Sequence, residues 1–204
     1  MGLYTYPNDG RIHTRYSELV RCTSGQIERV VAERFGDIQP FSSPHTEIGS
    51  LRHEMYAQDI ENTGLLPNCF RKAAPQYANV KIEQFEQEMK AEIFKGVVLH
   101  STPDAVSTSS GIIFDFKVTT QEAKKYAASK QVLVYAYQLL LRKIEIKEVV
   151  FLIERWNSEK TEILGYDSVS KEISRENVLE VRDWLKSRTE ILLSAIEARK
   201  NGQI

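Results

Sequence analysis

The sequence is short of cysteine, and this shortage excludes two classes of protein. Cys22 and Cys69 are the only cysteines among 204 residues. A secreted disulfide framework would normally need more of them. Two cysteines also cannot supply the four ligands of an iron–sulfur cluster or of a structural zinc. We therefore expect two reduced thiols in a reducing compartment.

Net charge and long apolar runs are also scarce. The chain carries 27 basic and 28 acidic residues, a net charge of -1, so bulk charge indicates neither a nucleic-acid nor a membrane partner. No apolar run approaches the ~20 residues of a membrane-spanning helix. The first residues, MGLYTYPNDGR, lack the apolar core of a signal peptide. We expect a protein of the cytoplasm.

Hydrophobic residues make up 42% of the chain, enough for a core that needs no disulfide or structural metal. Apolar periodicity predicts helices at 16–34, 46–62, 121–141 and 175–198, and strands at 97–106, 111–118, 148–154 and 162–166. This order predicts an α/β fold in which helices flank a small central mixed sheet. We expect one domain, 1–204, with a core at about 45–167, an N-terminal helical segment at 1–44 and a C-terminal helix at 175–198.

The stretch STPDAVSTSSGIIFDFKVT places charges inside an otherwise apolar strand. Side chains two residues apart share one face of a strand, so Asp115 and Lys117 should point the same way. If the two predicted strands form a hairpin, Asp104 falls close to Asp115. Two adjacent carboxylates repel, and a divalent cation such as Mg²⁺ or Mn²⁺ relieves the repulsion. The alternative is a structural Asp–Lys pair at a strand end, with Asp104 as a turn former.

The pair of motifs P-D and D-F-K resembles the signature of the PD-(D/E)XK nuclease superfamily. Asp104 and Asp115 match its acids, and Lys117 matches its lysine. Upstream, Gly49-Ser-Leu-Arg-His53 resembles the G-x-x-x-H motif of the RecB-type exonuclease branch. The family likeness implies a restriction-endonuclease-like core with added N- and C-terminal helices.

Downstream, Gln131-Val-Leu-Val-Tyr135 resembles the Q-x-x-x-Y motif of the same branch. Residues at i and i+4 share a helix face, and in the family these two line the DNA path. Lys124 and Lys130 are predicted on the same helix as further contacts to DNA. The resemblance covers roughly residues 45–155 and keeps the family's motif order.

The resemblance implies a Mg²⁺- or Mn²⁺-dependent deoxyribonuclease that works from DNA ends in recombination, repair or phage DNA processing. It also implies a bacterial protein, or a phage protein in the cytoplasm of its host. Its implied catalytic residues are Asp104, Asp115 and Lys117. Its implied metal ligands are His53, Asp104, Asp115 and the backbone carbonyl of Phe116. Glu88 and Glu92 are candidates for one further acid. The iron–sulfur members of the branch have three cysteines near the C-terminus, and none follows Cys69 here, so we expect no cluster.

Two other functions remain open on the sequence. One is a structure- or site-specific endonuclease on the same core. The other is a catalytically silent nucleic-acid-binding subunit. The expected partner is single- or double-stranded DNA, without a membrane; a recombinase or single-strand-annealing protein and a second copy of the chain are further candidate partners.

Overall fold

The computed structural model describes residues 9–38 and 44–203, and of residues 44–46 the backbone alone. Six α-helices occur in these residues: Tyr16–Leu19 (α1), Ile27–Phe35 (α2), Pro44–Thr63 (α3), Asn68–Ala73 (α4), Gln131–Leu141 (α5) and Arg175–Lys200 (α6). Two 3₁₀ helices span Pro75–Tyr77 and Ala123–Ala128. The strands are Ile12–Arg15 (β1), Gln84–Phe85 (β2), Met89–Phe94 (β3), Val97–Ser101 (β4), Ala105–Ser107 (β5), Ile112–Thr119 (β6), Glu148–Trp156 (β7) and Ile163–Glu172 (β8).

The strands form two mixed sheets. The first has the order β1-β4-β3, with β1 parallel and β3 antiparallel to β4. The second has the order β2-β5-β6-β7-β8, in which only β6 and β7 run parallel. The prediction of an α/β fold with a mixed sheet and flanking helices is confirmed, whereas the second sheet was not predicted.

The chain divides into two compact units, each built around one sheet. Of the described residues, the three-stranded unit contains 9–38, 89–101 and 179–203, and the five-stranded unit contains 44–88 and 102–178. The predicted N-terminal helical segment at 1–44 also contains strand β1. The assignment of the whole chain to one nuclease domain stays a prediction.

The predicted strand at 97–106 is wrong as one element. Its first half is β4 of the three-stranded sheet, and its last residues begin β5 of the five-stranded sheet. Pro103 lies between them and has no backbone N–H to donate to a ladder, which explains the break. The predicted helix at 16–34 is likewise two helices, α1 and α2, separated by turns.

The predicted helix at 121–141 is α-helical only in its second half. Residues 123–128 form a 3₁₀ helix, and α5 begins at Gln131. Lys124 therefore lies outside the helix that carries Gln131, and Lys130 is its N-cap. The helix predicted to begin at Thr46 begins at Pro44, so Thr46 lies inside the first turn and does not start the helix. The side chain of Thr46 lies outside the described residues.

The core of the five-stranded unit lies around β6 and β7. Both strands are buried along most of their length, as expected for a parallel pair covered on two faces. Phe70 of α4 stacks on Phe116 of β6 at 5.4 Å between ring centroids, and Tyr56 of α3 lies 5.1 Å from both rings. This packing holds α3 and α4 against the face of β6 that carries Phe116. None of the helices in the described ranges is long and apolar enough to cross a membrane.

Candidate active site

Strand β6 presents one aspartate and one lysine from the middle of the sheet. Asp115 is 1% exposed, and its Oδ2 lies 2.6 Å from Nζ of Lys117. The two side chains therefore share a strand face, as predicted. Phe114 and Phe116, on the other face, belong to the apolar core cluster.

Asp104 immediately precedes β5, which forms an antiparallel hairpin with β6. Ala105 pairs with Phe114, so Asp104 comes opposite Asp115 at the next position. The backbone N–H of Phe116 donates to Asp104 Oδ2 at 2.6 Å. The predicted hairpin and the predicted approach of the two aspartates are confirmed.

His53 reaches the same place from α3. Its Nδ1 lies 3.5 Å from Asp104 Oδ1. Its ring meets the ring of Phe116 edge to face, with 6.1 Å between centroids. Helix α3, the residue before β5 and strand β6 thus bring His53, Asp104, Asp115 and Lys117 together.

The charged groups at this site shift one another's pKa values. Burial raises the pKa of Asp115; Lys117 opposes this shift, and the Asp104 carboxylate adds to it. Burial lowers the pKa of Lys117, but the attraction of Asp115 and Asp104 is larger, so the pKa is raised and the amine stays cationic at neutral pH. Burial also lowers the pKa of His53, but the hydrogen bond and the charge of Asp104, together with the charge of Glu86, outweigh burial, so the pKa is raised.

The donors at this site suit a hard divalent cation. Carboxylate oxygens and a backbone carbonyl are what Mg²⁺ and Mn²⁺ prefer, and imidazole is compatible with Mn²⁺. Across residues 9–38 and 44–203, no three His, Cys, Asp or Glu side chains lie close enough together to hold a metal ion, so the predicted ligands His53, Asp104 and Asp115 do not form a closed set of three. A cation here would complete its shell with the Phe116 carbonyl and with waters, and Mg²⁺ commonly keeps several waters in proteins.

Gly49 of the G-x-x-x-H motif is not required by close packing. A Cβ added at this position would meet no atom within 4 Å. Its residue type therefore has no explanation in the described contacts, unlike His53 of the same motif.

Gln131 and Tyr135 share a face of α5, as predicted from their spacing. Gln131 Nε2 donates to the hydroxyl of Tyr135 at 2.5 Å. Tyr135 is only 5% exposed, so its ring is not a surface on which a base could stack. Lys124 and Lys130 are exposed. Contact of these four residues with DNA stays a prediction.

An acid that the sequence did not single out lies near the site. Glu86 follows β2, and its backbone N–H donates to the carbonyl of Asp104 at 2.9 Å. Its side chain is exposed like that of Glu88, but partial desolvation and the charge of Asp104 raise its pKa, and His53 opposes this shift. By contrast, Glu92 lies in the three-stranded unit and accepts the N–H of Gly96. Glu88 is exposed. The loop that places Glu86 has no motif by which the sequence could have revealed it.

Tyr126 is a second neighbour that the sequence did not indicate. It comes from the 3₁₀ helix Ala123–Ala128, and its ring centroid lies 6.0 Å from Lys117 Nζ. Its hydroxyl donates to Thr119 Oγ1 at 2.8 Å, and Thr119 follows Lys117 on the same strand face. Lys117 therefore lies between the Asp115 carboxylate and an aromatic ring that can attract its charge.

Comparison with known proteins gives a likeness in structure without one in sequence. No protein-family model matches the chain, and no curated protein matches its sequence. An alkaline exonuclease from Laribacter hongkongensis superimposes with a TM-score of 0.56 over 93% of this chain and 92% of its own, at 12% identity. A putative exonuclease from Eubacterium rectale gives a TM-score of 0.59 over 94% and 82%, at 13% identity.

A phage-related exonuclease from Haemophilus somnus 129PT gives a TM-score of 0.57 over 95% of this chain and 97% of its own, at 10% identity. The Laribacter enzyme is also known in complex with dAMP. These likenesses extend over nearly the whole chain. The chain has the mixed α/β fold of these exonucleases.

Proposed function

We propose that the protein is a Mg²⁺- or Mn²⁺-dependent DNA exonuclease of the RecB-type branch of the PD-(D/E)XK nucleases, without an iron–sulfur cluster. The observation that carries the proposal is the convergence of Asp104, Asp115, Lys117 and His53 at a buried strand. The exonuclease fold of the solved neighbours supports it. The dAMP bound by one neighbour supports a deoxynucleotide substrate.

Asp104, Asp115, His53 and the Phe116 carbonyl would hold the cation. When bound, a divalent cation supplies acidity to a coordinated water and polarises the scissile phosphate. The structure favours a cationic role for Lys117, because Asp115 keeps its ammonium charged and oriented. Lys117 would then donate to the attacking water or to the phosphate, and not act as a neutral base.

The path of the DNA strand is proposed to run past α5. Gln131 would contact the strand through its amide, and Tyr135 would orient that amide through the hydrogen bond between them. Lys124 and Lys130 would bind phosphates. Because phosphate contacts release counterions, affinity for DNA should fall steeply with salt.

Linear and closed circular plasmid of the same sequence, incubated with Mg²⁺, Mn²⁺ or EDTA, test the proposal. We expect the linear form to be degraded from its ends, the circle to survive, and EDTA to stop the reaction. Nicking of the circle at a comparable rate would favour an endonuclease. DNA binding without any cleavage would favour a silent binding subunit.

Substitutions test which residues carry the activity. Lys117→Ala should lower the rate about 10²–10⁴-fold, the range typical of a positioned proton donor or acceptor, with DNA binding largely kept. Asp115→Asn should abolish cleavage and weaken Mn²⁺ binding in calorimetry. Asp59→Asn, an exposed aspartate of α3, is the matched control and should behave as wild type. More than half of the wild-type activity in Lys117→Ala would contradict the assignment.

A further inference from the structure

Strand β7 ends in a buried carboxylate that the proposed reaction does not use. Glu154 is 0% exposed, although it lies two residues from the end of its strand. Its Oε2 accepts hydrogen bonds from Arg52 Nε at 3.0 Å and from the hydroxyl of Tyr56 at 2.7 Å. Its Oε1 accepts from Trp156 Nε1 at 2.7 Å. Both oxygens are therefore satisfied, and a buried charge is tolerated only under such conditions.

Two of these donors belong to the helix that carries His53. Arg52 and Tyr56 are separated by four residues and lie on one face of α3. Both donate to the same oxygen, Glu154 Oε2, from positions about 6 Å apart along the helix axis. Two donors that meet at one fixed atom restrict both the rotation of the helix and its position along its axis.

His53 follows Arg52 directly, so its direction depends on the rotation of α3. Successive helical residues point about 100° apart around the axis. With Arg52 turned toward Glu154, His53 is turned toward Asp104, at 3.5 Å between Nδ1 and Oδ1. Apolar packing of Tyr56 on Phe116 also holds the helix, but such contacts are less directional than hydrogen bonds.

Stability alone does not explain the choice of residues. Replacing a buried ion pair with apolar side chains of similar volume often leaves a protein equally stable or makes it more stable. What the charged pair adds is direction, because a carboxylate fixes its donors in angle as well as in distance.

We propose that Glu154 is a positioning residue which, through Arg52 and Tyr56, aims His53 at Asp104 and so sets the affinity of the site for its divalent cation. This inference rests on the proposed function. It adds a residue outside the signature motifs to the machinery of the site.

Mn²⁺ binding by the full chain, measured by calorimetry, tests the inference. Glu154→Gln should weaken Mn²⁺ binding about 10–100-fold, the loss typical when a partner of a metal ligand is removed. Glu148→Gln is the matched control, because Glu148 lies on the same strand and accepts a tyrosine hydroxyl, from Tyr77 at 2.6 Å. The control should bind Mn²⁺ as wild type does.

The double variant His53→Ala/Glu154→Gln separates positioning from general weakening. If Glu154 acts through His53, the double variant should bind Mn²⁺ no more weakly than His53→Ala alone. Additive losses, or equal affinities of Glu154→Gln and Glu148→Gln, would overturn the inference. Should Glu154→Gln fail to fold, Tyr56→Phe removes one of the hydrogen bonds to Oε2 and should weaken Mn²⁺ binding several-fold; unchanged binding would overturn the inference equally.

The same measurement distinguishes failure of the inference from failure of the proposed function. Wild-type protein that binds no Mn²⁺ and cleaves no DNA would overturn the proposed function, and the inference with it. Wild-type protein that binds Mn²⁺ while Glu154→Gln binds it equally well would overturn the inference alone.

Discussion

Gly111→Ala should destabilise the protein by more than its backbone angle alone requires. Gly111 precedes β6 and has a φ of +70°, a left-handed conformation that costs an L-residue about 1–2 kcal/mol. A Cβ there would lie 3.0 Å from the backbone oxygen of Glu145, so the loop before β7 would have to move. Overpacking of this kind typically costs a further 1–3 kcal/mol. We therefore expect a loss of about 2–5 kcal/mol in the free energy of unfolding.

The matched control is Gly64→Ala. Gly64 has a similar φ of +67°, but a Cβ there would meet no atom within 4 Å, so only the backbone term of about 1–2 kcal/mol applies. Urea unfolding of the two variants and of wild type gives both losses of free energy, provided that the slope m of free energy against urea concentration is the same in all three proteins. Because Gly111 O accepts the N–H groups of Lys147 and Glu148 where β6 begins to pair with β7, the Gly111 variant should also lose the proposed nuclease activity. If Gly111→Ala were no less stable than Gly64→Ala, the close approach to Glu145 would not limit this turn.

Three further predictions concern separate groups. Tyr126→Phe removes the hydroxyl bound to Thr119 but keeps the ring over Lys117. We therefore expect this variant to retain more of the proposed nuclease activity than Tyr126→Leu in initial-rate assays. Equal activities would argue that the ring does not act on the lysine. Burial raises the pKa of Glu33, but hydrogen bonds from two arginines outweigh it and hold the pKa below its ordinary value. Glu33→Gln should therefore cost about 1–2 kcal/mol of unfolding free energy at pH 7. This cost should shrink as the pH falls below 4.5, because the carboxyl is then protonated in the unfolded chain before it is protonated in the native protein; a cost independent of pH would contradict the ion pairs. Cys22 is fully buried, and burial raises its pKa to about 11. In native protein at pH 8 this thiol should therefore not react with a thiol reagent until the protein is unfolded. Reaction of Cys22 at the rate of an exposed thiol would contradict its burial.

Much of the site could be predicted because it depends on local periodicity. Side chains alternate between the two faces of a strand, so Asp115 and Lys117 share one face of β6 independently of the rest of the fold. The short hairpin then fixes Asp104 opposite Asp115. The role of His53 as a metal ligand could be predicted only from the family resemblance, because a histidine on a helix does not indicate which residues lie opposite it.

The parts that were not predicted depend on contacts distant in sequence. The segment around Tyr126 has the composition of a helix, but the bond to Thr119 holds it as a 3₁₀ turn beside β6. Val97–Ser101 and Ala105–Ser107 read as one strand because each is apolar, and only pairing shows that they join different sheets. Glu154 is the last acid of the run EVVFLIE and resembles a solvated strand end; its burial becomes visible only with Arg52, 102 residues away.

The division of the chain between two sheets has a consequence for synthesis on the ribosome. The five-stranded unit is complete at Val178, whereas the three-stranded unit also needs the remainder of α6 from Leu179 onward. A chain that emerges at about 5–20 residues per second therefore has all of one unit available before the other. Leu185 and Leu192, which are fully or nearly fully buried, belong to this later part of the chain. Once Val178 has left the ribosomal exit tunnel, and before the rest of α6 has followed, we expect the nascent chain to hold a folded five-stranded unit and an incomplete three-stranded unit.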